Sequence, residues 1–147
     1  MMFPLRPSRQ RSPHRFRLAL LWALALLFSV GIAHASNFVR KHGSIVAEFD
    51  GRYLRKSGSI VAEFDGLHVR AQGSIVAEFD GRYIRKSGSI LAEIDGRYVR
   101  QNGSIVYEIE ENGTVRKHGS IAYTVDGYVD STDMKNRLAV YLLLFRD

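Results

Sequence analysis

The sequence predicts an all-β fold, a closed meander or ring of short β-hairpins built from a 15-residue repeat. Three observations lead there. The triplet Gly-Ser-Ile recurs at Gly43, Gly58, Gly73, Gly88, Gly103 and Gly119, at spacings of 15, 15, 15, 15 and 16 residues. A second glycine follows within each unit, at Gly51, Gly66, Gly81, Gly96 and Gly127, and one residue pair later, at Gly113, in the fifth. Between the glycines lie short runs such as Ile45–Phe49 and Arg52–Lys56. Short runs rich in β-branched and aromatic residues, bounded by turn residues, read as strands of consecutive hairpins.

The odd length of the unit constrains the turns. With only two-residue hairpin loops, an odd repeat would turn each side chain to the opposite face one unit later. Asp50-Gly51 is a natural two-residue type I′ turn, which sets Ala47 opposite Leu54 and Glu48 opposite Tyr53. The other loop then needs an odd count, and Lys56-Ser57-Gly58 supplies three residues. On that register Ile45, Ala47, Phe49, Leu54, Ile60, Ala62 and Phe64 share the core face. In the fifth unit, a three-residue loop at Glu111-Asn112-Gly113 absorbs the extra residue and keeps Ile109 opposite Val115.

The repeats occupy about residues 37–130. A polar segment follows, and then Leu138–Phe145 runs apolar. A strand covered on both faces reads this way, so residues 137–145 are expected to form a closing strand. Units reading G-S-I-V-x-E-[FI]-D-G and x-[VI]-R-[KA]-x-G, followed by a polar linker and an aliphatic-aromatic tail, resemble the bacterial five-fold beta-flower proteins. The resemblance spans Asn37 to Phe145. It implies short hairpins arranged around a pseudo-rotational axis, and it implies no activity. Six Gly-Ser-Ile triplets stand where five-fold symmetry would have five.

The N-terminus is of another kind. Residues 1–17 are basic, Leu18–Val30 is apolar, and Ala33-His34-Ala35 offers a small-residue cleavage site. This is the pattern of a secretory signal peptide over residues 1–35, with cleavage after Ala35 and a single domain over 36–147. The expected location is secreted or periplasmic, with no membrane span after cleavage. The charge belongs largely to this leader. Five of the 21 Lys and Arg residues precede Leu18, while all 15 Asp and Glu follow residue 35. From Ser36 onward 16 basic residues face 15 acidic ones, so the basic balance of the chain does not point to nucleic acid. With no cysteine, disulfides and thiol chemistry are excluded.

The chemistry is repetitive. Arg recurs at Arg40, Arg55, Arg70, Arg85, Arg100 and Arg116, and Glu at Glu48, Glu63, Glu78, Glu93 and Glu108. Catalysis needs different groups converging at one place, and this pattern offers the same groups many times, so no enzyme, cofactor or metal is expected. His42 and His118 occupy equivalent turns, but two imidazoles without a third ligand make a weak metal site. The first expectation is a non-enzymatic structural or interaction module. The alternative is a carbohydrate- or envelope-polymer-binding surface formed by Tyr53, Arg55, Glu63, Arg70, Glu78, Tyr83, Arg85, Glu93, Tyr98 and Arg100.

Overall fold

The computed structural model describes residues 36–147. The leader read at residues 1–35 lies outside the described residues. Twelve strands form six hairpins: β1 (Asn37–Lys41) with β2 (Ser44–Asp50), β3 (Tyr53–Lys56) with β4 (Ser59–Asp65), β5 (His68–Ala71) with β6 (Ser74–Phe79), β7 (Tyr83–Lys86) with β8 (Ser89–Asp95), β9 (Tyr98–Gln101) with β10 (Ser104–Ile109), and β11 (Thr114–Lys117) with β12 (Ser120–Asp126). Each strand pairs antiparallel with its neighbours in sequence, and β12 pairs with β1 to close a barrel. The expected all-β ring of short hairpins is therefore the observed fold.

The odd residue sits elsewhere than the sequence suggested. Both connections are two-residue turns. Asp50 pairs with Tyr53 and Phe49 with Leu54, so the corner residues are Gly51 and Arg52 rather than Asp50 and Gly51. Lys56 pairs with Ser59, leaving Ser57 and Gly58 at the second corner. There Ser57 has φ 50° and Gly58 φ 79°, and positive φ at both central residues defines the type I′ turn. The fifteenth residue is a β-bulge. Arg55 pairs with Ile60 and Leu54 with Ala62, so Val61 is left over. The same slip recurs in all six hairpins, skipping Val46, Val76, Leu91, Val106 and Ala122 in turn. A bulge re-aims the residues on one side of it. Ile45, Ile60, Ile75, Ile90, Ile105 and Ile121 are consequently outside, at 46–57 % exposure, and not on the core face. The three-residue loop of the fifth unit forms as expected, with Ile109 opposite Val115.

Inside the wall three tiers of side chains repeat around the ring. Val39, Leu54, Val69, Ile84, Val99 and Val115 form the middle tier, each at 0 % exposure. Phe49, Phe64, Phe79, Ile94, Ile109 and Val125 form the tier beside the Asp-Gly turns, and Ala47, Ala62, Ala77, Ala92, Tyr107 and Tyr123 the tier beside the Ser-Gly turns. Eight strands are about the most whose side chains fill a barrel alone. A ring of twelve needs something else at its centre.

The filler is the C-terminal segment, and it is helical. α1 (Thr132–Val140) continues into one π-helical turn, Tyr141–Phe145, so the closing strand expected at 137–145 does not form. The physical reason is backbone satisfaction. The closed ring has no free edge for a thirteenth strand, and an unpaired strand in the lumen would bury its N–H and C=O groups without partners. A helix satisfies them internally. Apolar runs of this length do not distinguish the two by pattern alone. Leu138, Ala139, Val140, Tyr141 and Leu142 are all at 0 % exposure, so every face of the helix is covered.

Both helix ends are held. At the start, the Ser131 hydroxyl accepts a hydrogen bond from the Met134 N–H at 3.1 Å, capping the first turn. Arg137 bridges Asp133 at 2.7 Å and donates to the Gly51 carbonyl at 2.8 Å, and its guanidinium lies 4.9 Å from the Phe64 ring centre. At the far end Lys56 donates to the Phe145 carbonyl at 2.8 Å. A cation suits the negative end of a helix. Lys41 and Lys117 lie over the rings of Tyr123 and Tyr107 at 5.9 and 5.8 Å, and Arg146 donates to the Tyr107 hydroxyl.

Two buried polar atoms lack partners among the described residues, Asn136 Oδ1 and the Tyr141 hydroxyl. The Tyr141 ring meets Phe49 and Tyr123 edge-on at centroid distances of 6.5 and 6.2 Å. Burial pushes its hydroxyl up to about 12. Because the unfolded tyrosine ionises near 10, the folded chain binds more protons than the unfolded one between pH 10 and 12, and stability falls with pH across that window. Tyr141→Phe is expected to flatten that fall in pH-dependent thermal melts, and to leave the melting temperature at pH 7 unchanged or higher, since the hydroxyl lacks a partner. Core truncation separates the two faces of the bulge. Leu54→Ala is expected to cost about 2–5 kcal/mol in denaturant titration, whereas Ile60→Ala is expected to cost about 1 kcal/mol or less.

Candidate functional site

With the lumen filled, the outer wall and the two rims remain for a ligand. The strands present every second residue outward, and Tyr53, Arg55, Arg70, Tyr83, Arg85, Tyr98 and Arg100 alternate with the buried middle tier. Glu63, Glu78 and Glu93 join them across the ladder, facing Tyr53, His68 and Tyr83 respectively. The ten residues singled out in the sequence thus lie on one continuous surface. They are grouped differently from the simple Glu/Arg ladder of the repeat.

Glu48 and Arg55 stand directly opposite each other, yet the carboxylate on Arg55 is that of Asp50, at 3.1 Å. Equivalent pairs join Arg70 to Asp65 at 3.4 Å, Arg85 to Asp80 at 3.8 Å and Arg100 to Asp95 at 3.2 Å. Arg116 meets Glu110 and Arg40 meets Asp126, both at 2.6 Å. Glu63, Glu93 and Glu108 are held by a second arginine, the one after the turn glycine. Arg52 reaches Glu63 at 3.1 Å, Arg82 reaches Glu93 at 2.7 Å and Arg97 reaches Glu108 at 3.0 Å.

Each tyrosine lies between its two arginines. The guanidinium carbons of Arg52 and Arg55 are 5.2 and 5.8 Å from the Tyr53 ring centre. Those of Arg82 and Arg85 are 5.3 and 5.4 Å from Tyr83, and those of Arg97 and Arg100 are 5.2 and 5.6 Å from Tyr98. Such cation–π contacts contribute about 0.5–1 kcal/mol each at exposed sites, and the exposed ion pairs about 0–1 kcal/mol each. Their combined effect is orientation: the side chains are held in one arrangement, copied around the wall. The arginines after the turn glycine and the turn aspartates were outside the sequence-based set. Their recurrence at fixed offsets was visible, but the register that pairs them depends on the bulge.

The Arg-Tyr pair stands at Arg52-Tyr53, Arg82-Tyr83 and Arg97-Tyr98, and one break falls between the first two of these. Where three hairpins carry Arg-Tyr after the turn glycine, the third carries Leu67-His68. Leu67 cannot bridge to the next glutamate, and Glu78 has instead His68 Nε2 at 3.6 Å, too far for a hydrogen bond. A cleft of about 430 Å³ opens there, lined among others by Leu67, His68, Glu78, Asp80, Tyr83 and Arg85, with Phe79 at its floor. Asp80 forms one edge. Its Oδ1 accepts from the backbone N–H groups of Tyr83 and Arg82 at 2.8 and 3.1 Å, and these two bonds, with the nearby Arg85, hold its carboxyl below the usual range.

No group of His, Cys, Asp and Glu among the described residues has the geometry to hold a metal ion. His42 and His118 both occupy first-corner positions of Ser-Gly-type turns, with φ 50° and 51°. No described helix is long and apolar enough to cross a membrane. No protein-family model, curated protein or solved structure matches the chain.

Proposed function

We propose that this chain is a non-enzymatic, exported interaction module whose outer wall binds carbohydrate or cell-envelope polymer. The observation that carries the reading is the filled barrel. Its own helix takes the volume where a small barrel would hold a ligand, so recognition falls to the wall, and there Tyr, Arg and carboxylate groups stand in oriented, repeated sets. Repetition suits a polymer, because neighbouring hairpins offer neighbouring subunits of the ligand the same contacts. The mutual pairing of the charged groups argues against an activated nucleophile or base, which needs a perturbed group poised for reaction. The export expected from the leader puts such a wall where envelope glycans are. A ring of hairpins about a rotational axis is also the shape that the beta-flower resemblance implies, here with six hairpins.

The test is retention of residues 36–147, which hold the whole barrel and its core, on immobilised peptidoglycan and on a glycan array. The native chain is expected to be retained, and Arg70→Ala combined with Arg85→Ala to weaken retention at least tenfold with little change in melting temperature. A native chain that binds none of these surfaces rules the reading out.

A further inference from the structure

The break at Leu67-His68 leads beyond a general binding wall. The strand pairing that follows Leu67 is the same as in its counterparts. His68 pairs with Glu78 and Val69 with Ala77, matching Tyr53 with Glu63 and Leu54 with Ala62. The Phe79 N–H donates to the Leu67 carbonyl at 2.8 Å, as the Phe64 N–H does to the Arg52 carbonyl at 2.7 Å. The missing arginine opens the groove, and the Asp80-Gly81 turn forms its far edge, with Gly81 at φ 94° where Gly51, Gly66 and Gly96 lie at 56–62°. In the second, fourth and fifth hairpins an arginine lies across the corresponding position and neutralises the glutamate.

Three features converge on the opening. Glu78 lacks the arginine that its counterparts Glu63, Glu93 and Glu108 possess. The Tyr83 hydroxyl makes no hydrogen bond among the described residues, whereas those of Tyr53 and Tyr98 accept from Arg52 and Arg97 at 3.1 Å. Leu67 presents an apolar side chain at 59 % exposure. A free carboxylate, a free hydroxyl and an apolar platform are the groups that hydroxyl-rich, C–H-faced molecules need. The volume lies in the range of about 300–1,000 Å³ of small-ligand sites.

From this convergence we infer that the cleft is the seat of a neutral saccharide of about two rings. This rests on the outer-wall reading and names its ligand class and its place. The pyranose C–H face packs on Leu67, and the sugar hydroxyls donate to Glu78 and accept from Tyr83. Charge selects against acidic sugars: Asp65, Glu78 and Asp80 outnumber Arg85 among the permanently charged lining groups, and burying an anion beside them is unfavourable.

The test restores the majority sequence. Leu67→Arg with His68→Tyr gives the third hairpin the Arg-Tyr pair that three others carry, so folding is preserved and the cleft is bridged. The probes are N,N′-diacetylchitobiose and cellobiose, with digalacturonic acid as the acidic comparison, added to residues 36–147 and followed by amide and side-chain NMR shifts. A neutral disaccharide is expected to shift Leu67, His68, Glu78 and Tyr83. The double variant is expected to bind at least tenfold more weakly at an unchanged or higher melting temperature, and digalacturonic acid to shift none of these residues. Unchanged affinity in the double variant, stronger binding of the acidic sugar, or shifts confined to another part of the wall overturns the cleft and leaves the outer-wall reading standing. If the native chain shows neither shifts with these sugars nor retention on the polymers, both fail.

Discussion

Closure of the ring is the constraint from which the rest follows. Once β12 has paired with β1, every strand has two neighbours and the wall has no edge. Closure removes the hazard of exposed edges, but twelve strands enclose more volume than their inward side chains can fill. Whatever enters must be apolar outside and complete in its own hydrogen bonds. The fourteen residues of Thr132–Phe145 meet both conditions only as a helix, about 21 Å long. That is close to the reach of the seven-residue strands, about 23 Å. The polar anchors at its ends, Ser131 and Arg137 at one rim and Lys56 at the other, set its direction and depth.

A single helix has no six-fold symmetry, so the ring around it cannot be uniform. The repeat accommodates this at specific positions. Alanine in the tier beside the Ser-Gly turns gives way to Tyr107 and Tyr123 in the last two hairpins, where the rings reach Arg146, Lys117 and Lys41. In the opposite tier Phe49, Phe64 and Phe79 form a series of mutually inclined rings with centroids 6.0 and 6.2 Å apart and are followed by the smaller Ile94, Ile109 and Val125. Departures inside the ring therefore serve packing. Leu67-His68 lies on the outer wall, where the helix imposes nothing, and its departure from the repeat opens a cleft.

The fold was legible in the sequence because glycine spacing and two-residue periodicity act locally. Even the fifth unit, with its extra residue, kept Ile109 opposite Val115 as its loop length required. Two features were not legible. The odd residue could be absorbed by a loop or by a bulge, and both preserve the faces of Ala47, Phe49 and Leu54; the isoleucines Ile45 and Ile60 distinguish them, and the bulge places both outside. The tail could be strand or helix, because Leu138–Phe145 is apolar in either period. The deciding fact, that no edge remains for it, belongs to the completed ring and not to the segment. The candidate surface was legible as a set of residues but not as a set of pairs. Arg55 stands opposite Glu48 yet meets Asp50, since the bulge and turn positions shift which carboxylate lies within reach. Leu67 and His68 were readable as departures from Arg-Tyr, and their meaning appeared only when Arg52 and Arg82 were seen to span the corresponding groove.

The position of the helix after the sixth hairpin orders events during synthesis. The six hairpins are local, each closing within about fifteen residues, and such contacts form on the microsecond scale. Ring closure joins Val39 to Val125 and must await the sixth hairpin, while the filler, Leu138–Phe145, emerges after that. Until then the inward face has nothing to pack against. The filler is thus the last of these parts to be made, after the sixth hairpin, and any truncation short of Leu138 leaves a hollow ring with its apolar tiers open to water.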